Sequence, residues 1–391
     1  MKRKEYFDYF GVIIFVFTSC AVFWHIGLSP AISFTFYLLL SFVRFYKAKR
    51  KINSSFFFVI FTYFVVFWNF LTYGTVYKDN STFGYLTTLL GSYFFISTYT
   101  FRDFRYKYIN IIYWINLVAL PLYLLYQLDM LPASYKWFGD TSFVMFGPFV
   151  YGWEGPFNRF AGIWHEPGAC MIFQCMALWL NIDKLCLWKF DKGDVKKIVV
   201  IVIALLATKS TGGYINFIIL FATVFINVKI KRKYRIIVYP LVALVTCFSV
   251  YFLYNSDVIQ DKIFVDESES VSKKVRTANT LALLQMSSER PLLGYGIGSK
   301  EFFERSIVLN NISSSSGILK FMACLGCVWL LVFLILVFKN MKRLYPPMQC
   351  VFFFVAFIAL MINEDYMEFP ISHIFLFKFV STQLKINNIN E

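Results

Sequence analysis

The stretch RFAGIWHEPGACMIF (159–173) sets Arg159, His165 and Glu166 directly ahead of an apolar run opened by Pro167. Charge beside a hydrocarbon phase is costly, so such a cluster marks chemistry at its edge. A carboxylate at an apolar helix start can have its pKa raised and take a proton, which makes Glu166 the first candidate base. His165 and the acids Glu364 and Asp365 of NEDYMEF (363–369) stand behind it. Four cations from separate segments, Arg159, Lys209, Arg276 and Arg290, are candidates for holding a phosphate or pyrophosphate. One phosphate charge about 4 Å from an arginine is worth roughly 4 kcal/mol at an effective dielectric of 20, against about 1 kcal/mol in water, so a half-buried pocket makes these cations selective. Each residue also has a plainer reading. Glu166-Pro167 can simply open a helix, Arg159 can pair with Glu166, and Arg290 can serve a loop salt bridge.

The elements that position these residues are membrane helices. Of 391 residues, 58% are hydrophobic, 21% aromatic and only 16% charged, against about 25% charged in soluble domains. The mean hydropathy is +0.60. A net charge of +15 does not point to nucleic acid, because membrane proteins collect Lys and Arg in their cytoplasmic loops. The chemistry of the cysteines is equally bland. Cys20, Cys170, Cys175 and Cys247 fall in apolar runs, and the spacing of Cys324 and Cys327 lies inside a predicted span. The first apolar run reads as a retained anchor rather than a cleaved signal.

Apolar runs near 7–25, 27–45, 54–73, 83–100, 108–128, 165–182, 197–208, 212–228, 236–254, 317–338, 349–362 and 371–384 predict about twelve helices in an all-α transmembrane bundle. The division is helices one to nine over 1–254, a periplasmic loop over 255–316, and helices ten to twelve over 317–391. Predicted inner loops hold 20 Lys and Arg and the short outer loops four, which puts both termini in the cytoplasm. A single helix over 198–228 would carry KIKRKYR (229–235) to the wrong side; a hairpin broken at TKSTGG (208–213) keeps the charge rule. Within the loop, Val271, Val275, Ala278, Leu281 and Leu284 recur at helical spacing and predict an amphipathic helix over 272–288. His25, His165 and His373 all fall at predicted outer helix ends, and span middles are nearly free of charge, which disfavours a proton-coupled pump. Tyr135, Trp137, Tyr151, Trp153 and Trp164 on that side either stack on sugars or belong to the aromatic belt of any membrane interface.

Arg159-x-x-Gly-x-x-x-Glu166-Pro167 opening one span and TKSTGGYINF (208–217) opening another resemble the O-antigen polymerases. So do VRTANTLALLQMSSERPLLGYGIG (275–298) in the outer loop and SSGILKFMACLG (315–326) at the next helix. The resemblance covers about residues 155–330 and is to the O-antigen ligase and polymerase superfamily. It implies a GT-C-like, metal-independent, cofactor-free glycosyltransferase of the bacterial inner membrane with a periplasmic active site. Its donor and acceptor would be undecaprenyl-pyrophosphate-linked oligosaccharides, and a polysaccharide chain-length regulator would be a partner. By that resemblance Arg276 matches a loop arginine near the donor pyrophosphate, and Lys209 stands where ligases carry an arginine. Ser315 stands where ligases carry a histidine base, a departure that favours polymerase over ligase. A lipid-linked oligosaccharide flippase is the alternative of another class.

Overall fold

The computed structural model describes residues 2–19, 29–73, 81–138, 141–153, 158–187, 192–227, 271–309 and 316–380. His25, the run at 236–254, and residues 255–270 of the predicted loop lie outside the described residues.

The chain is mostly helical. Helices α1 (Lys2–Ser19), α2 (Pro30–Lys47), α3 (Phe56–Tyr73), α4 (Ser81–Ile96) and α5 (Phe101–Gln127) come first. After a small sheet follow α6 (Pro167–Trp179), α7 (Ile182–Leu187), α8 (Lys192–Ala207) and α9 (Thr211–Asn227). The rest is α10 (Val271–Glu289), α11 (Lys300–Val308), α12 (Gly317–Met341) and α13 (Pro347–Asn363). Hydroxyls fix several starts by accepting from orphan backbone N–H groups: Thr100 from Asp103 at 3.1 Å, Ser299 from Phe302 at 3.1 Å, and Ser316 from Leu319 at 3.5 Å. Among the described residues, α3, α5 and α12 are long and apolar enough to cross a membrane, and α6, α9 and α13 are shorter apolar helices.

The bundle is held by one apolar core and by polar pairs within it. Asn116 on α5 and Gln174 on α6 exchange amide hydrogen bonds at 2.7 and 3.0 Å. At the end of the bundle opposite the site described below, Arg105 pairs with Asp183 at 2.6 Å. In the N-terminal helices Arg44 pairs with Asp8 at 2.6 Å, its guanidinium 3.8 Å over the Tyr99 ring.

Several expectations need correction. The fold is not all-α: β1 (Ser134–Phe138), β2 (Thr141–Phe146) and β3 (Phe149–Trp153) form an antiparallel sheet in the order β1-β2-β3. The short apolar run 143–146 turns back at Gly147-Pro148 to make the β2–β3 hairpin, and Tyr151 of β3 stacks on Tyr126 of α5 at 4.5 Å. The run expected as a twelfth span is not a helix over its described part. After a short 3-10 turn (Pro370–His373), residues through Phe377 thread the core as fully buried irregular chain. Asn340 of α12 donates to the carbonyls of Phe375 and Leu376 at 3.0 and 2.9 Å, and Val380 donates to Tyr99 at 2.8 Å. Such backbone is tolerated at membrane depth only when the protein itself surrounds it. His373 is therefore buried, 3.2 Å from the Ser92 hydroxyl, and does not sit at an outer helix end.

The loop helix extends over 271–289, but its buried face is Asn279, Ala282, Leu283, Met286 and Ser287, while Leu281 and Leu284 are exposed. It packs on α12, whose own helix is broken at Gly326. There Gly326 takes φ +85°, freeing backbone groups that the RPLLGYGIG loop satisfies. Tyr295 and Gly296 donate to the carbonyls of Ala323 and Cys324 at 2.9 and 2.7 Å, and Cys327 donates to Pro291 at 2.7 Å. The Asn69 amide of α3 adds a bond to the Leu293 carbonyl at 2.9 Å.

Candidate functional site

Four helix ends meet at one end of the bundle: the starts of α6, α9 and α12 and the finish of α13. Small residues let them approach. A side chain at Gly168 in the first turn of α6 would collide with the Glu364 carboxylate, and one at Gly212 in α9 would press on Asn363 at 3.0 Å. Gly317 of α12 donates its N–H to the Glu364 carbonyl at 3.2 Å. The α8–α9 hairpin closes at residues 208–210, where Lys209 adopts a left-handed conformation with φ +46°. Phe160 donates to the Ala207 carbonyl and the Arg159 Nε to the Thr208 carbonyl, both at 2.9 Å, so the segment before α6 is stitched to the hairpin.

On this frame Glu166 is the N-cap residue of α6, yet its carboxylate makes no capping hydrogen bond. It faces the His165 Nε2 at 3.4 Å, and the other ring nitrogen of His165 lies 3.3 Å from the Tyr366 hydroxyl. The His165 and Tyr366 rings are parallel within 6°, with centroids 6.0 Å apart. Arg159 and Arg276 both act electrostatically on Glu166, and Arg159 also interacts with Glu364 and Tyr214. Arg276 sits on the exposed side of α10, so the loop helix carries its charge over the site. The expected upward shift of Glu166 is corrected here. Burial pushes its pKa up, but His165, Arg276 and Arg159 outweigh burial and hold it below the ordinary carboxylate value.

Beside this lies a second group. Lys320, in the first turn of α12, reaches the Asp365 carboxylate at 2.7 Å and the Glu368 carboxylate at 2.8 Å. Desolvation raises the Asp365 pKa, Lys320 opposes that, and the charges of Glu368 and Glu166 add to it. The Asp365 Oδ1 is buried without a hydrogen-bond partner.

Of the residues singled out from the sequence, Arg159, His165, Glu166, Arg276, Glu364 and Asp365 converge. Lys209 adjoins them through the backbone of Thr208, to which Arg159 is bonded. Arg290 does not join them. It pairs with Glu301 at 2.5 Å, its guanidinium between the Tyr73 and Tyr295 rings at 4.1 and 4.2 Å, the loop role that was its plainer reading. Tyr151 and Trp164 are buried in the protein and offer no face to a sugar, whereas Tyr135 is exposed. Lys320, Glu368, Tyr366 and Tyr214 were not singled out. Lys320 carried a signal, a lone charge four residues into an apolar run. Among the described residues, no group of three or more His, Cys, Asp or Glu is arranged to hold a metal ion.

Residues 198–321 match the family model described as O-antigen ligase. The match takes in Lys209, Arg276, Arg290 and Lys320, and leaves Arg159, Glu166, Glu364 and Asp365 outside it. No curated protein matches the chain.

Proposed function

We propose that the chain, which matches the O-antigen ligase family model over residues 198–321, is a repeat-unit polymerase of the O-antigen ligase and polymerase superfamily, membrane glycosyltransferase-like enzymes. It moves a growing glycan from undecaprenyl pyrophosphate to the next lipid-linked repeat unit at the periplasmic face of the inner membrane, without a metal. The observation that carries the reading is the meeting of Arg159 and Arg276, from segments far apart in the chain, around the Glu166 carboxylate at one end of the bundle.

Arg159 and Arg276 hold the donor pyrophosphate, with Lys209 at the edge of the pocket. The acceptor hydroxyl oxygen attacks the donor's anomeric carbon as the bond from that carbon to the pyrophosphate oxygen breaks. The electron pair leaves with undecaprenyl pyrophosphate, whose charge the arginines stabilise as it develops. Glu166 takes the hydroxyl proton. His165 and the two arginines lower its basicity; a pyrophosphate drawing on the same arginines returns part of it, so the base is strengthened when the donor is in place.

The test is reconstitution of the purified protein with synthetic lipid-linked repeats, with and without chelator, scored for polymer. Polymer should form in both, Arg276→Ala and Arg159→Ala should lower the rate at least a hundredfold, and Glu166→Gln should do the same with donor binding retained. Unchanged polymer from Arg276→Ala and Glu166→Gln would refute the assignment of the site. The family description favours a second reading, a ligase delivering finished chains to lipid A core. Deletion of the gene separates the two: loss of a polymerase leaves lipopolysaccharide capped by single repeats, and loss of a ligase strands long chains on the carrier lipid.

A further inference from the structure

Within the site read above as a glycosyltransferase centre, charge is divided unevenly. On the α10 side two arginines, Arg159 and Arg276, face two carboxylates, Glu166 and Glu364. On the α12 side a single cation, Lys320, faces two carboxylates, Asp365 and Glu368. Glu166 stands between, acted on by both arginines and itself acting on Asp365.

We propose that the Lys320–Asp365–Glu368 side is a glycan subsite for the acceptor that takes neutral or amino sugars and rejects anionic ones. Two buried polar atoms on this side make no hydrogen bond within the protein. The Asp365 Oδ1 is buried and unpartnered, and so is the hydroxyl of the fully buried Tyr85, which lies in the field of Glu368. A carboxylate oxygen that lacks a donor is completed by a sugar hydroxyl or ammonium group. It is not completed by a second carboxylate, which would face the uncancelled charge of the pair. Lys320 cannot rescue an anion, because both Asp365 and Glu368 already occupy it. The His165 ring, partly exposed and parallel to Tyr366, supplies a flat face for the apolar side of a pyranose. The division also orders the reaction. The leaving pyrophosphate belongs with the arginines, the entering hydroxyl with Asp365, and Glu166 at their junction receives the proton.

The inference rests on the glycosyltransferase reading for its place in the reaction, and its binding test is separate from polymer formation. The full-length protein in nanodiscs is titrated with three probes, the methyl glycosides of N-acetylglucosamine, glucosamine and glucuronic acid, followed by saturation-transfer NMR. The neutral and amino glycosides should bind at least tenfold more tightly than the glucuronide. Asp365→Asn should reduce that ratio to within threefold. Glu368→Gln, which keeps the Lys320–Asp365 pair, should narrow it independently of any folding defect in the first variant. Glucuronide binding as tight as the neutral glycoside, or a ratio unchanged in both folded variants, would overturn the proposal. Discrimination that persists in a protein unable to make polymer would support the subsite while removing the polymerase reading.

Discussion

Burial alone would push the Glu166 carboxyl up, and His165, Arg276 and Arg159 together pull it below its ordinary value. A carboxyl whose pKa is lower in the folded than in the unfolded chain stabilises the fold at pH values above the unfolded pKa, about 4.3 for Glu. That contribution fades as pH falls through the folded value. Glu166→Gln should therefore lower the melting temperature at pH 7, where the variant removes one of the two carboxylates that offset the arginine charge, at a cost of about 1–3 kcal/mol. The gap between variant and parent should narrow progressively as pH falls below that unfolded value. Scanning fluorimetry of the detergent-solubilised protein from pH 7 down to about pH 3.5 measures it. A gap that stays constant across that range would mean that the arginines do not act on this carboxylate.

At the scale of elements, the break in α12 links the site to the loop helix. Gly326 has φ +85° and its α-carbon faces the Leu292 carbonyl, so an added methyl meets backbone rather than a side chain that can swing away. Gly326→Ala should lose about 1–3 kcal/mol for an extended, positive-φ conformation that is essentially confined to glycine, and more for displacing the loop. Gly147→Ala is the control. It also has positive φ, +57°, but its added methyl meets nothing within 4 Å, so it should lose only the conformational part. Melting temperatures and tryptic cleavage after Lys300 compare the two; equal losses would show that the docked loop contributes nothing. Much of this architecture was legible in the residues, and the exceptions have physical causes. The α8–α9 hairpin followed from the charge rule, but its turn falls at 208–210, and Gly212-Gly213, expected to break the helix, lie inside α9. The span expected at 371–384 failed because hydropathy reports burial, not helicity, and an irregular chain inside the bundle is as apolar as a helix facing lipid. On α10, spacing found the helix but chose Leu281 and Leu284 as its buried face; the docking partner α12 decides that face, and it takes Leu283 and Met286. The sheet was harder to read: 141–146 (TSFVMF) is a short apolar run without polar–apolar alternation, and periodicity does not separate such a run from an aromatic stretch at a membrane edge. At the site, the ion-bearing motifs pointed to Glu166 and Arg276, whereas the pairing of Lys320 with Asp365 and Glu368 joins residues 45 and 48 positions apart and is set only by the packing of α12 against α13.

For the whole molecule, the arrangement of ends matters more than the number of helices. The starts of α6, α9 and α12 and the finish of α13 share one end with every member of the ionic cluster. The opposite end carries the start of α5, where Arg105 pairs with Asp183, and the finish of α6, where the Tyr345 hydroxyl lies 3.5 Å from the Leu180 carbonyl. Lys and Arg concentrate in the connections at that second end, which the insertion rule assigns to the cytoplasm. Under the proposed polymerase reading, a substrate carried on undecaprenyl pyrophosphate in the outer leaflet would meet the ionic cluster without crossing the bilayer. Cysteines introduced one at a time at exposed positions test the assignment, with the parent chain as background. Asn158→Cys and Ser288→Cys, beside Arg159 and on α10, should react with a membrane-impermeant maleimide in intact cells with a permeabilised outer membrane. Lys49→Cys and Arg102→Cys should react at least tenfold more after the inner membrane is opened than before. If position 158 or 288 labelled only after lysis, Arg159 and Arg276 would face the cytoplasm, and a periplasmic transfer reaction could not be theirs.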